Sequence, residues 1–95
     1  MKSFRILLTG GSSGIGAATA KVLTSAGHRV TLLARNVESL QQVASTCPSD
    51  LVQFRQVDVT DAASVNEAVK ASIDKWGGLD VCIPNAGLGV FAPLK

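Results

Sequence analysis

Residues 9–16 read Thr9-Gly10-Gly11-Ser12-Ser13-Gly14-Ile15-Gly16. The run just before them, Phe4–Thr9 (FRILLT), is short, apolar and rich in residues that suit a buried strand. The run just after them continues to about Ala26, with Ile15, Ala18, Val22, Leu23 and Ala26 recurring at helical spacing. The glycine-rich octet is therefore expected to be a strand-to-helix turn, and this spacing predicts Ile15 pointing into the core at the helix start. Gly27 stands where a left-handed C-terminal cap belongs.

The same alternation runs on through the chain. Arg29–Leu33 (RVTLL) is the expected second strand. Asn36 is a suitable N-cap, with Glu38 in the first turn favouring the helix dipole. Val37, Leu40, Val43 and Ala44 mark one face of a helix that ends before Pro48. Leu51–Val59 contains the third strand, and Thr60 or Asp61 caps a third helix. Its stripe is Val65, Ala68, Val69, Ser72, Ile73 and Trp76, and Gly77-Gly78 stops it. Leu79–Ile83 (LDVCI) is the fourth strand, and Asn85-Ala86-Gly87 the loop beyond it.

Strands alternating with amphipathic helices imply right-handed βαβ units and a parallel sheet. The fold class is α/β, a partial Rossmann-type parallel sheet built β-α-β-α-β-α-β with strand order 3-2-1-4. The crevice between the carboxyl ends of strands 1 and 4 is then the switch point at which ligands bind such sheets. The whole of residues 1–95 reads as one domain, the N-terminal portion of a dinucleotide-binding unit.

Bulk composition agrees. The chain has 95 residues, enough for one modest core. Its hydrophobic fraction of 46% and mean hydropathy of +0.30 suit strands buried on both faces, or a surface left open for a partner. The net charge of +2 is scattered, so no nucleic-acid or membrane footprint is expected. The apolar stretch at the N-terminus is too short for a signal peptide or a membrane span, so the expected location is cytoplasmic. Cys47 and Cys82 lack metal or redox spacing and read as inert thiols. His28 reads as a surface residue, Trp76 as core packing, and Arg5, Lys21, Arg29, Lys70 and Lys75 as solvated.

A diphosphate needs backbone N–H groups aimed at it, no Cβ where the backbone approaches, and a helix N-terminus behind it. Gly10, Gly14 and Gly16 meet those needs, and Thr9, Ser12 and Ser13 add hydroxyls. The end of strand 2 separates the cofactors. An acid there grips free ribose hydroxyls, whereas an Arg favours a 2′-phosphate. The acidic position is Ala34, and Arg35 follows with its planar fork of donors. NADP is therefore expected over NAD. Asp58, at the end of strand 3, suits the adenine amino group or a turn. Asn85, Ala86 and Gly87 offer small residues where a ribose meets strand 4. Asn36, beside Arg35, and Val59, beside Asp58, complete the candidate cofactor-binding set.

These residues resemble the short-chain dehydrogenase/reductase family. TGGSSGIG at 9–16 has that family's Gly-x-x-x-Gly-x-Gly spacing. DVTD at 58–61, WGGLDV at 76–81 and NAG at 85–87 follow in its order. The resemblance implies a Rossmann fold, a nicotinamide cofactor and hydride transfer between a carbonyl and an alcohol. It assigns Gly10, Gly14, Ile15 and Gly16 to the pyrophosphate loop. It assigns Arg35 to the 2′-phosphate, Asp58 to adenine, and Asn85 to strand 4 and the cofactor. Pro84 departs from the pattern, which often has Asn or another small polar residue there.

The family's catalytic Ser and Tyr-x-x-x-Lys lie C-terminal to the matched region, and this chain contains no Tyr. No residue is therefore nominated as catalytic, and the chain alone is expected to be inactive. Three roles follow: the front part of a larger oxidoreductase, a non-catalytic NADP-binding module, or a chain that pairs with a full-length or C-terminal partner. The abrupt stop at Phe91–Lys95 favours the first. In either partner-dependent case, the exposed strand Leu79–Ile83 is the expected surface for self-association or a partner chain.

Overall fold

The computed structural model describes residues 3–10, 14–58 and 60–84. The elements run β1 (Arg5–Thr9), α1 (Gly14–Ser25), β2 (Arg29–Ala34), α2 (Val37–Ser45), β3 (Val52–Gln56), α3 (Ala62–Trp76) and β4 (Val81–Pro84). The four strands form one parallel sheet in the order β3-β2-β1-β4, as the alternation predicts. Thr9 is in register with Leu33 on one side and Pro84 on the other. The carboxyl ends of β1, β2 and β4 therefore lie side by side.

Two apolar layers sandwich the sheet. Ile6, Leu8, Val30, Leu32 and Val52 pack on one face with Ala20 of α1 and Leu40 and Val43 of α2. Leu7 and Leu33 point to the other face, where Ala68, Val65 and Val69 of α3 cover them. Successive strand residues facing opposite ways explain why β1 and β2 are apolar without alternation.

Caps fix where the helices begin and end. Asn36 accepts from the Ser39 amide at 3.1 Å and opens α2. Asp61, not Thr60, opens α3, accepting from Ala63 and Ser64. Gly77 closes α3 at φ 81°, its amide bonded to the Ile73 carbonyl. Gly27 ends α1 at φ 92°, with the His28 amide reaching back to Leu23 at 3.0 Å.

The structure corrects the reading of α1. Its sheet-facing side is the small-residue row Gly16, Ala20 and Thr24, with Ala17 and Leu23 packed at the margin. Ile15 does not enter the core: it is 74% exposed, and Val22 is 68% exposed. Together with Ala18 and Thr19 they line an open apolar groove on the outer side of the helix. Small side chains let a helix lie close to a sheet, so the larger apolar residues were displaced to the opposite face. On α3, Ile73 is likewise exposed, whereas the rest of its stripe turns inward.

Arg5 is not a solvated charge. Its guanidinium makes a two-pronged pair with the Asp80 carboxylate at 2.9 Å and donates to the Gly77 carbonyl at 3.1 Å. The Asp80 carboxylate also accepts the Arg5 amide, and the Arg5 carbonyl accepts the Asp80 amide. A Cβ at Gly78 would collide with this guanidinium, coming within 2.7 Å of its central carbon. The Gly-Gly-Leu-Asp stretch thus has a structural job, docking the entry of β4 onto the entry of β1.

His28 is half-buried and accepts the Phe4 amide through Nδ1 at 3.0 Å. Trp76 packs in the α3 layer with its indole N–H bonded to the Thr31 hydroxyl at 2.9 Å. Lys75 lies over its ring at 5.7 Å. Cys47 is a buried free thiol. Cys82 is a half-buried one, and burial pushes its pKa up. Among the described residues no helix is long and apolar enough to cross a membrane, and no group of His, Cys, Asp or Glu could hold a metal ion.

Candidate functional site

The carboxyl edge of the sheet gathers the described candidates. Thr9 closes β1 and is buried. Gly10 follows at φ 67°, a left-handed conformation that costs an L side chain about 1–2 kcal/mol. The Gly10 amide continues the ladder from the Thr9–Leu33 pair, donating to the Leu33 carbonyl at 2.8 Å. Gly14 is the first residue of α1. A Cβ at Gly14 would meet no atom within 4 Å. No contact with the described residues requires glycine at this first position of the helix. Gly16 is buried on the side of α1 that faces the sheet.

β2 ends at Ala34, and Arg35 and Asn36 extend past the sheet, both exposed. The Asn36 side-chain oxygen is committed to the α2 cap. The Arg35 guanidinium has no hydrogen bond or ion pair with the described residues. Its backbone is held, because Gln56 donates its side-chain amide to the Arg35 carbonyl at 2.9 Å. The reading of the sequence missed Gln56. The only signal for it is register, which sets Gln56 opposite Ala34, and register is not visible before strands are paired.

Asp58 lies two residues beyond the end of β3. One carboxylate oxygen accepts both the Thr60 amide at 2.9 Å and the Thr60 hydroxyl at 2.6 Å. Those bonds, with a smaller contribution from the charge of Arg35, hold its carboxyl below the ordinary range. The turn role and the adenine role are compatible, since the second oxygen has no partner among the described residues. Ser12, Ser13, Val59, Asn85, Ala86 and Gly87 lie outside the described residues.

The edge therefore presents a glycine turn with a helix N-terminus behind it, a cation one strand away that makes no hydrogen bond or ion pair with the described residues, and a carboxylate beyond that feels its charge. Comparison with known proteins gives these features a context. A family model described as short chain dehydrogenase matches residues 5–95. Short-chain dehydrogenase reductase 5 of Arabidopsis thaliana is 40% identical over 83 residues, covering 87% of this chain and 32% of that protein. An uncharacterized oxidoreductase of Staphylococcus aureus (strain USA300) is 42% identical over 81 residues, covering 85% of this chain and 35% of that one. The chain thus spans about a third of the length of these curated relatives.

Among solved structures, the apo form of a glucose dehydrogenase of Caenorhabditis elegans superposes with a TM-score of 0.82 at 30% identity, covering 92% of this chain and 39% of that one. A 3-ketoacyl-(acyl-carrier-protein) reductase from Brucella melitensis, complexed with NADH, superposes with a TM-score of 0.76 at 30% identity, covering 81% and 31%. On sequence and architecture together, the chain belongs to the short-chain dehydrogenase family and carries the Rossmann-type nucleotide-binding region of that family's fold.

Proposed function

We propose that this chain binds a nicotinamide dinucleotide, NADP in preference to NAD, as the cofactor-holding part of an oxidoreductase of the carbonyl reductase or alcohol dehydrogenase type. The observation that carries the preference is the Arg35 guanidinium, uncommitted beside Ala34 where an acid would grip a free ribose. The residues fit the group at its other points. A Cβ at Gly14 would meet no described atom within 4 Å, in keeping with a diphosphate against the N-terminus of α1. The second oxygen of Asp58 suits an adenine amino group. The bound nicotinamide would supply the hydride donor or acceptor. This chain's own residues bind and orient it: Gly10 and Gly14 shape the cradle, Arg35 neutralises the 2′-phosphate, and Asp58 reads the base. Ser12, Ser13, Val59, Asn85, Ala86 and Gly87 complete the proposed site by the family's pattern.

The chain contains no Tyr, so the general acid that the family's reaction needs is not among its residues. Titrating the chain with NADPH and NADH, followed by cofactor fluorescence, tests the proposal. Tighter binding of NADPH supports it, and equal or tighter binding of NADH contradicts it. A cytoplasmic setting is part of the same reading, in keeping with two free thiols.

A second reading is favoured by the outer edge of β4. No described strand pairs with that edge, and Val81 is 37% exposed on it. An apolar strand edge without charge is a template for pairing, so the chain is proposed to self-associate there. Light scattering tests this. Concentration-dependent dimers that Val81→Lys abolishes support it, and a monomer at all concentrations contradicts it.

A further inference from the structure

We infer that Gln56 is a positioning residue that sets the cofactor preference of Arg35, an inference that rests on the NADP reading above. The parallel ladder between β2 and β3 runs out at this point. The Ala34 carbonyl still receives a backbone donor, the Val57 amide at 2.8 Å. The next carbonyl, that of Arg35, receives the Gln56 side-chain amide instead, at 2.9 Å. One residue further on, the Asn36 side chain and carbonyl are fixed by the Ser39 and Leu40 amides at 3.1 Å.

The Arg35–Asn36 peptide is thus clamped from β3 on one side and from α2 on the other. The guanidinium between these clamps makes no hydrogen bond or ion pair with the described residues, and its charge acts on Asp58 only through space. A held backbone with a free charged tip is a preorganised anion ligand, because less freedom is lost when the tip engages. Gln56 itself is exposed and fills no core position, so its side-chain bond to Arg35 is the contact through which it acts.

The test is a double-mutant cycle read as affinity for NADP⁺ and for NAD⁺. Removing a neutral hydrogen bond of this kind shifts an equilibrium about two- to tenfold. Gln56→Ala should weaken NADP⁺ binding by that factor and leave NAD⁺ unchanged. In an Arg35→Ala background the same substitution should have no effect. Gln56→Glu, which sets a carboxylate against a carbonyl and beside the phosphate, should cost NADP⁺ binding more than Gln56→Ala does. Equal weakening of both cofactors, or an effect that persists without Arg35, would overturn the inference and leave the NADP reading intact. A parent chain that shows no preference for NADP⁺ would overturn both.

Amide hydrogen exchange gives a readout that needs no ligand. Gln56→Ala should speed exchange at Ser39, whose amide holds the Asn36 end of the clamp. Unchanged exchange at Ser39 would contradict the positioning role.

Discussion

Gly10 donates its backbone N–H to the Leu33 carbonyl at 2.8 Å. The first glycine of the loop after β1 is therefore tied to the strand that leads to Arg35. That bond fixes the spacing between the proposed diphosphate cradle and the proposed 2′-phosphate ligand. The left-handed turn at Gly10, φ 67°, follows that bond in the chain.

Substitutions at the two loop glycines should separate stability from binding. Gly10→Ala must place a Cβ in the left-handed region, at a cost of about 1–2 kcal/mol of folding stability. Gly14→Ala enters open space at a helical position. It should leave stability unchanged or raise it by up to about 1 kcal/mol. It should nevertheless weaken dinucleotide binding more than Gly10→Ala does, since its methyl fills the cradle. Chemical denaturation and cofactor titration of the two variants check this. A Gly14→Ala chain that binds normally would show the cradle to be elsewhere.

The hydroxyl of Thr31 is the hub of a buried polar cluster. It accepts from Gln53 at 2.8 Å and from the Trp76 indole at 2.9 Å, and lies 2.9 Å from the Ser72 hydroxyl. The Gln53 Nε2 and Trp76 Nε1 groups can only donate, so both lone pairs of Thr31 are used and its proton goes to Ser72. Thr31→Val keeps the shape and removes all three bonds. Ser72 is fully buried and cannot turn to water, so a loss of about 1–3 kcal/mol is expected. Trp76 is the only Trp, which makes its fluorescence a direct probe of the unfolding transition.

Gly78→Ala should act through Arg5 alone. The added methyl displaces the guanidinium from Asp80, lowering the melting temperature. In an Arg5→Ala background the same substitution should have little further effect, and thermal melts of the four chains close the cycle. An undiminished effect without Arg5 would place the strain in the Gly77-Gly78 backbone instead.

Much of this fold was legible in advance. The strand order followed from the alternation, and the caps at Asn36, Asp61, Gly27 and Gly77 followed from local residue chemistry. What escaped was whatever depends on distant pairing. Arg5 and Asp80 stand 75 residues apart in sequence, and nothing around either announces the other. The Gln56 contact with Arg35 is set by strand register. The α1 face was misassigned because Ile15 and Val22 are larger than Gly16, Ala20 and Thr24, and hydrophobic periodicity weighs size over closeness of approach. In the candidate site, residue types and strand ends were readable, whereas the commitment of individual atoms was not. Asn36 and Asp58 each proved to have one oxygen already bonded.

Asp58 should leave a signature in acid. Its folded pKa is depressed, chiefly by the Thr60 hydrogen bonds, so its contribution to stability is present above the unfolded value, about 3.9. It is lost as the pH falls through the folded value. Asp58→Asn should flatten the stability profile below about pH 4. Thr60→Val should move the Asp58 titration upward, as followed by carboxyl carbon shifts. An unmoved titration would mean that Thr60 does not hold that carboxylate.

The most direct test of the central claim is calorimetric titration of the chain and its Arg35→Ala variant with NADP⁺ and NAD⁺. A charge-assisted hydrogen bond to the 2′-phosphate is worth about 1.5–3 kcal/mol. Arg35→Ala should therefore weaken NADP⁺ binding by roughly ten- to a hundredfold and leave NAD⁺ binding unchanged. Equal affinity of the parent and the variant for NADP⁺ would contradict the assignment of Arg35 and, with it, the proposed cofactor preference.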